Sequence, residues 1–155
     1  MGKEAKQSGD EGCSPARMVL LRLADKTLKN ERTMRLNEYQ KRAMSTCMES
    51  CRNYSYMMDN LVAEVGEFAG KVAKAKRKDQ VRFDEEGGLV CTFATHEEVD
   101  VFLAELKKEA GDILWQLAGL CEVMEWDLED VAVGNLDKLA SRKTRGVICG
   151  DGDNR

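Results

Sequence analysis

Residues 61–78 are the segment that most constrains what this chain can fold into. Apolar residues recur there at helical spacing, and they are Leu61, Val65, Phe68, Val72 and Ala75. Glu64 and Glu67 are three residues apart, so both carboxylates are predicted to lie on one flank of that apolar face, with Lys71 between them. The opposite side carries residues small enough for a second helix to approach closely: Ala63, Gly66, Gly70 and Ala73. The sequence therefore predicts an amphipathic helix with an acidic flank that a partner could complete.

A second long helix is predicted further along the chain. Thr95 and Glu98 have the spacing of a capping box, and helical periodicity continues to about Glu125. The predicted core residues of this helix are Val99, Phe102, Leu106, Ala110, Ile113, Leu117, Leu120 and Met124. Its predicted back face again carries small residues, which are Ala104, Gly111, Ala118 and Gly119.

This second helix repeats the acidic pair of the first. Glu109 and Asp112 are three residues apart and have the same offset from the predicted core as the first pair. A single pair of this kind is weak, and Glu122 and Glu125 share the spacing but point elsewhere. Two pairs with a common offset are more informative, because antiparallel packing would bring four carboxylates together. Trp115 lies nearly opposite the predicted core, where we expect it to meet a ligand or a second subunit.

The segments around these two helices are expected to be shorter elements. Residues 1–13 are polar and predict a disordered tail, and Ser14 followed by Pro15 predicts the start of a short extra helix. Residues 1–35 are therefore separated from a domain that covers residues 36–155.

Within that domain, Asn37 and Gln40 have capping-box spacing and predict the start of a helix. Its seam repeats every fourth residue and consists of Tyr39, Ala43, Cys47 and Cys51. Alternating apolar residues on either side of Gly87 predict a small hairpin or an irregular excursion between the two long helices. Asp127 can cap a last helix that runs to about Arg142. The residues expected to face inward in that helix are Leu128, Ala132, Leu136 and Leu139.

Composition sets the class and excludes several functions. The 155-residue chain has 34% charged residues, 6% aromatic residues and a single proline, which indicates a soluble and mostly helical protein. A net charge of -4, without a basic cluster, argues against a nucleic-acid binder. No apolar run is long enough for a membrane span, and no signal peptide is recognisable, so a cytoplasmic protein is expected. The six cysteines are expected to be reduced thiols.

The composition of the acidic cluster indicates which metal it would take. Converging like charges raise each other's pKa values unless a cation lies among them. Oxygen donors without histidine or cysteine suit Mg²⁺ or Mn²⁺ rather than zinc. A di-iron bundle is disfavoured, since its E-x-x-H elements are missing.

Four short sequence motifs together resemble those of one known family. They are Leu36-Asn37-Glu38-Tyr39-Gln40, Glu64-Val65-Gly66-Glu67, Glu109-Ala110-Gly111-Asp112-Ile113-Leu114-Trp115, and Asn135-Leu136-Asp137-Lys138-Leu139 with Arg142. This pattern, which covers residue 36 to the C-terminus, resembles the MazG-like branch of the all-α nucleoside triphosphate pyrophosphohydrolases. The glycine-rich residues 145–155 are similar to the ending of that branch. The gap from Glu67 to Glu109 is longer than in compact members, so the excursion within it is a candidate determinant of substrate choice.

The resemblance implies a helical bundle that forms a homodimer or homotetramer. The implied reaction hydrolyses the α–β phosphate bond of a nucleoside triphosphate to a monophosphate and pyrophosphate, as in the house-cleaning of nucleotide pools. By position, the residues that would hold Mg²⁺ are Glu64, Glu67, Glu109 and Asp112, one of which could instead act as the base for water. Lys71, Lys138 and Arg142 are candidates for binding phosphate charge, and Asn135 resembles a family asparagine near the phosphates. Trp115 would stack on the base or lie in a dimer interface.

Two other functions remain open at this point. The same fold and metal could serve another pyrophosphate, such as an alarmone or a phosphoribosyl nucleotide. The charges could also be solvated helix faces of a non-catalytic interaction module. The sequence does not decide the preferred base or sugar, because selection depends on the shape of the pocket and on a second subunit.

Overall fold

The architecture is that of a computed structural model that describes residues 33–149. In chain order the elements are α1 (Leu36–Met44), a 3₁₀ turn (Glu49–Cys51), α2 (Tyr54–Arg77), β1 (Val81–Phe83), β2 (Leu89–Cys91), α3 (His96–Val123) and α4 (Leu128–Thr144). The predicted all-α class is confirmed. Predictions for residues 1–32 and for the glycine-rich ending from residue 150 onward lie outside the described residues. Among the described helices, none combines the length and the apolar composition that crossing a bilayer requires.

The two long helices pack against each other in antiparallel directions. Lys71 of α2 meets Glu109 of α3, whereas Met57, near the start of α2, meets Gly119, near the end of α3. Met57 is fully buried. A Cβ atom at Gly119 would overlap the Met57 sulfur and would lie 2.8 Å from its Cε. The absence of a side chain at Gly119 therefore permits the close approach of the two helices.

Both long helices form as predicted, but their buried faces differ from the predicted apolar stripes. Val99 and Leu106 are buried as expected, whereas Val65 is 50% exposed and Ala110 and Met124 are also exposed. Glu109, Gln116, Ala118 and Gly119 are buried instead. The physical reason is that α3 contacts both α2 and α1, so its buried surface is wider than one stripe and includes polar positions.

The small residues predicted for close helix approach divide into two groups. Ala118 and Gly119 of α3 are buried within the bundle, and Ala118 belongs to a core cluster with Cys121 and Leu128. By contrast, an added Cβ at Gly66 or Gly70 of α2 would have nothing within 4 Å. The predicted small-residue side of α2 is therefore open in the protomer.

The first helix is shorter than predicted. It ends at Met44 rather than near Cys51, and the chain then makes a 3₁₀ turn before α2. The Arg52 guanidinium donates a hydrogen bond of 2.5 Å to the Met44 carbonyl, which satisfies a backbone acceptor at the end of α1. The helix therefore ends at Met44, where its last carbonyl has a side-chain partner, although the apolar spacing continues to Cys51.

The capping box predicted for α1 is wrong, because its two residues cap another helix. Asn37 Oδ1 accepts a hydrogen bond from the Glu129 amide at 2.9 Å, and Gln40 Oε1 accepts one from the Leu128 amide at 2.7 Å. These amides belong to the first turn of α4, where helical partners are missing. Asp127 occupies the N-cap position of α4, but its side chain makes no capping hydrogen bond. Two side chains of α1 therefore replace the predicted local cap.

The inward face predicted for α4 is buried only at its start. Leu128 is 4% exposed and Ala132 is half-buried, whereas Leu136 and Leu139 are 64% and 44% exposed. The first turn of α4 is held against α1 and the end of α3, so burial declines along the helix.

The excursion between the long helices takes the hairpin form, which is one of the two forms that the sequence left open. Val81 pairs with Cys91 and Phe83 with Leu89 in antiparallel register. Asp84 accepts backbone hydrogen bonds from Glu86 and Gly88, which closes the turn. The hairpin therefore lies at the end of the helix pair where α2 ends and α3 begins, and its Phe83 ring meets Lys76 of α2.

Candidate metal centre

Three carboxylates converge where the middles of α2 and α3 meet. Glu64 and Glu67 belong to α2 and Glu109 to α3, and each offers an oxygen atom within 4.8 Å of the others. Successive helical turns bring the two α2 glutamates together, and antiparallel packing adds Glu109. Glu109 is buried, Glu64 is half-buried and Glu67 is exposed, so the cluster has a protein side and a solvent side.

The charges of these groups affect one another. Burial raises the pKa of Glu64 above its ordinary value, and the nearby carboxylates of Glu67, Asp112 and Glu109 raise it further. The effect of Asp112 shows that it lies close enough to contribute to the field at Glu64. Its oxygens do not belong to the set that converges within 4.8 Å. The structure thus assembles three of the four predicted ligands tightly and leaves Asp112, which is exposed, at the edge.

Lys71 contacts this cluster directly. Its Nζ lies 2.9 Å from Glu109 Oε1 and 2.9 Å from Glu105 Oε2. Hydrogen bonds to Glu109 and Glu105 raise the pKa of Lys71. Glu105 also pairs with Lys108, and these two lysines lower the pKa of Glu105 to about 2. Lys71 was predicted as a phosphate-binding residue, and in this arrangement it is a counter-ion of the acidic cluster.

The donor set suits a hard divalent cation. All three converging groups are carboxylates, which are the ligands that Mg²⁺ and Mn²⁺ prefer. Burial and then the neighbouring carboxylates raise the pKa of Glu64, and a divalent ion would relieve the repulsion among these charges. Glu67 is exposed, so one side of the cluster faces solvent. The residues present therefore fit such a metal.

Two aromatic residues are linked to Asp112, one by its charge effect and one by a position one turn further along α3. Burial, followed by the charge of Asp112, raises the pKa of Tyr39 in α1, which places its phenol close to that carboxylate. The Trp115 indole donates hydrogen bonds of 3.2 Å to the Ala43 carbonyl and of 3.2 Å to Thr46 Oγ1. Trp115 is half-buried, and its polar edge fastens the end of α1 to α3. This contact within the protomer was not among the partners predicted for Trp115.

The remaining predicted site residues lie on α4. Asn135 and Lys138 are exposed and Arg142 is buried. Helix α4 packs chiefly against α1, and its first turn also meets the end of α3, which is remote from the carboxylates. The convergence of Glu64, Glu67 and Glu109 therefore does not depend on α4.

Sequence reasoning missed two residues near this centre. Glu105 lies one helical turn before Glu109, and that spacing alone could have indicated a second acceptor for Lys71. Tyr39 was assigned to the seam of the first helix, and only the packing of α1 on α3 places it near Asp112.

Comparison with known proteins identifies relatives of this chain. A family model described as the MazG nucleotide pyrophosphohydrolase domain matches residues 52–147. The protein named "Gene 37 protein" of Mycobacterium phage L5 is 40% identical over 107 residues, which cover 69% of this chain and 81% of that protein. No solved structure matches the chain.

Proposed function

The chain belongs to the MazG nucleotide pyrophosphohydrolase domain family, and we propose that it hydrolyses the α–β phosphate bond of ribo- or deoxynucleoside triphosphates in a Mg²⁺-dependent reaction. The products would be a nucleoside monophosphate and pyrophosphate, and the role would be the house-cleaning of nucleotide pools. The observation that carries this proposal is the convergence of Glu64, Glu67 and Glu109 within 4.8 Å at the middle of the helix pair.

The metal would be held by Glu64, Glu67 and Glu109, with Asp112 as a fourth ligand from the edge of the cluster. Mn²⁺ would serve in place of Mg²⁺, because both prefer carboxylate oxygens. When bound, such an ion neutralises triphosphate charge and makes bound water more acidic. The buried position of Glu109 fixes one ligand, whereas the exposed position of Glu67 leaves the solvent side open to substrate.

The protein side chains would supply the proton transfer and the recognition of phosphate. One carboxylate of the set would accept the proton of the attacking water. Lys71 is already at the cluster and would meet the triphosphate there. Asn135, Lys138 and Arg142 would contribute from α4, with the Arg142 guanidinium suited to bidentate contact with phosphate. Trp115 would offer a ring face to the base while its N–H remains on α1.

The protein would act as a homodimer or homotetramer. An apolar stripe on α2 is exposed in the protomer, and it consists of Tyr54, Met58, Val62 and Val65 at 56%, 37%, 62% and 50%. The open positions at Gly66 and Gly70 would admit a second helix nearby. A second copy would remove this stripe from water, which favours association. Val62→Glu should therefore reduce the molar mass measured by light scattering, and an unchanged mass would exclude this stripe as the interface.

The reaction is tested with a panel of ribo- and deoxynucleoside triphosphates, with and without Mg²⁺. We expect pyrophosphate and monophosphate as products, only with metal, and loss of both in Glu67→Ala. Glu125→Gln is a charge-matched control on the chain's other E-x-x-E pair and should retain activity. Release of single phosphate would mean a different bond. Turnover of only an alarmone or a phosphoribosyl nucleotide would mean that the same metal centre acts on another pyrophosphate substrate.

A further inference from the structure

Lys71 is shared between one glutamate inside the acidic cluster and one outside it. Its Nζ is 2.9 Å from both Glu109 Oε1 and Glu105 Oε2. Glu109 belongs to the converging set, whereas Glu105 lies one turn earlier in α3 and does not. A lysine that only bound phosphate would not need two carboxylates, one of them a predicted metal ligand.

Resting on the metal centre proposed above, we propose that Lys71 is an exchangeable counter-ion, which the divalent cation displaces from Glu109 and which Glu105 retains beside the site. The Glu109 side chain is 10% exposed, so water solvates its charge poorly and an ammonium group compensates for it. A metal on the same carboxylate would face this ammonium as a like charge, and the two cations repel at such short range. Metal binding therefore releases Lys71 from Glu109.

Glu105 is the positioning residue in this exchange. It is held from the other side by Lys108, one turn further along the same helix, so its carboxylate stays close to the cluster when Glu109 is taken. The Lys71 side chain is 30% exposed and would otherwise move into solvent. With Glu105 in place, the released ammonium remains at the mouth of the site, where the triphosphate of the substrate would meet it. Metal binding and phosphate recognition are thereby coupled through one lysine.

The first test is the affinity of substrate-free protein for Mn²⁺, measured by titration calorimetry at fixed pH and ionic strength. Lys71→Met should bind Mn²⁺ about fivefold more tightly, the scale of one partly exposed ion pair, because the competing cation is gone. Lys71→Arg keeps a cation there and should bind Mn²⁺ as the wild type does. Lys74→Met is the matched control, since it removes an exposed lysine one turn further along α2 and should leave affinity unchanged.

A double-mutant cycle separates exchange from a general effect of charge. Glu105→Gln should weaken Mn²⁺ binding about threefold, because Lys71 then pairs with Glu109 alone. In the Lys71→Met background the same substitution should have no effect. In turnover, Glu105→Gln should raise KM for the nucleotide more than it lowers kcat, because Lys71 is no longer held at the mouth.

Two outcomes overturn the exchange. One is unchanged or weaker Mn²⁺ binding in Lys71→Met, and the other is an equal effect of Glu105→Gln in both backgrounds. Failure of the proposed metal centre can be distinguished from failure of the Lys71 exchange. If the metal centre were wrong, Mn²⁺ binding would survive in both Glu64→Gln and Glu109→Gln. Circular dichroism melts of every variant establish that each is folded before its affinity is compared.

Discussion

The close contact between α2 and α3 at Gly119 makes a quantitative prediction about stability. Replacing a helical glycine with alanine normally stabilises a helix by about 1 kcal/mol. At Gly119 the new Cβ would overlap the sulfur of Met57, which is fully buried and cannot move into solvent. Overpacking of this kind costs about 1–3 kcal/mol. Gly119→Ala should therefore be neutral or lower the free energy of unfolding by up to about 2 kcal/mol, the difference of these two ranges.

Gly111 in the same helix is the matched control. An added Cβ there has nothing within 4 Å, so Gly111→Ala should raise the free energy of unfolding by up to about 1 kcal/mol. The difference between the two variants isolates the overpacking cost, because both gain the same helix propensity. Urea unfolding at one protein concentration measures it. In a Met57→Ala background, Gly119→Ala should no longer destabilise. Equal stability of the two single variants would refute the close approach of α2 and α3.

Three further predictions concern caps, charge and thiols. Gln40→Ala removes the acceptor for the first amide of α4 and should lower the free energy of unfolding by about 1–3 kcal/mol. The exposed control Lys41→Ala should change this free energy little, and equal losses in urea unfolding would contradict the cap. Because burial and neighbouring carboxylates raise the folded-state pKa of Glu64, metal-free protein should gain stability as pH falls from neutral toward the ordinary glutamate value. Glu64→Gln should lose that gain in thermal melts, and an unchanged pH profile would show that Glu64 is not the source. Burial raises the pKa of the Cys121 thiol, so a thiol reagent should modify exposed Cys149 quickly and Cys121 only at the rate of unfolding. Mass spectrometry identifies the modified cysteine, and fast modification of Cys121 would contradict its burial.

The acidic centre was predictable because it follows from the spacing of residues within each of two helices. Glu64 and Glu67 are held together by helical spacing alone, and the second pair repeats their offset on a helix that is clearly capped by Thr95. Only the antiparallel packing had to be assumed. The capping box of α3 and the hairpin were predictable for the same reason, since each depends on residues within a few positions.

What the sequence did not reveal depends on contacts between distant segments. Asn37 and Gln40 have the spacing of a local cap, yet they bind amides of α4 more than 80 residues away. The buried surface of α3 is wider than its apolar stripe because α1 covers part of α3, and the spacing of apolar residues within α3 does not indicate this contact. Lys71 likewise has acceptors on another helix.

Whether the carboxylate cluster catalyses cleavage of the α–β bond is tested by ³¹P nuclear magnetic resonance, which distinguishes the possible phosphate products. A nucleoside triphosphate is incubated with Mg²⁺ and with wild-type protein, Glu109→Gln or Glu125→Gln. We expect monophosphate and pyrophosphate signals with wild type and Glu125→Gln, and unchanged triphosphate with Glu109→Gln or without Mg²⁺. Diphosphate and phosphate signals, or full activity in Glu109→Gln, would contradict it.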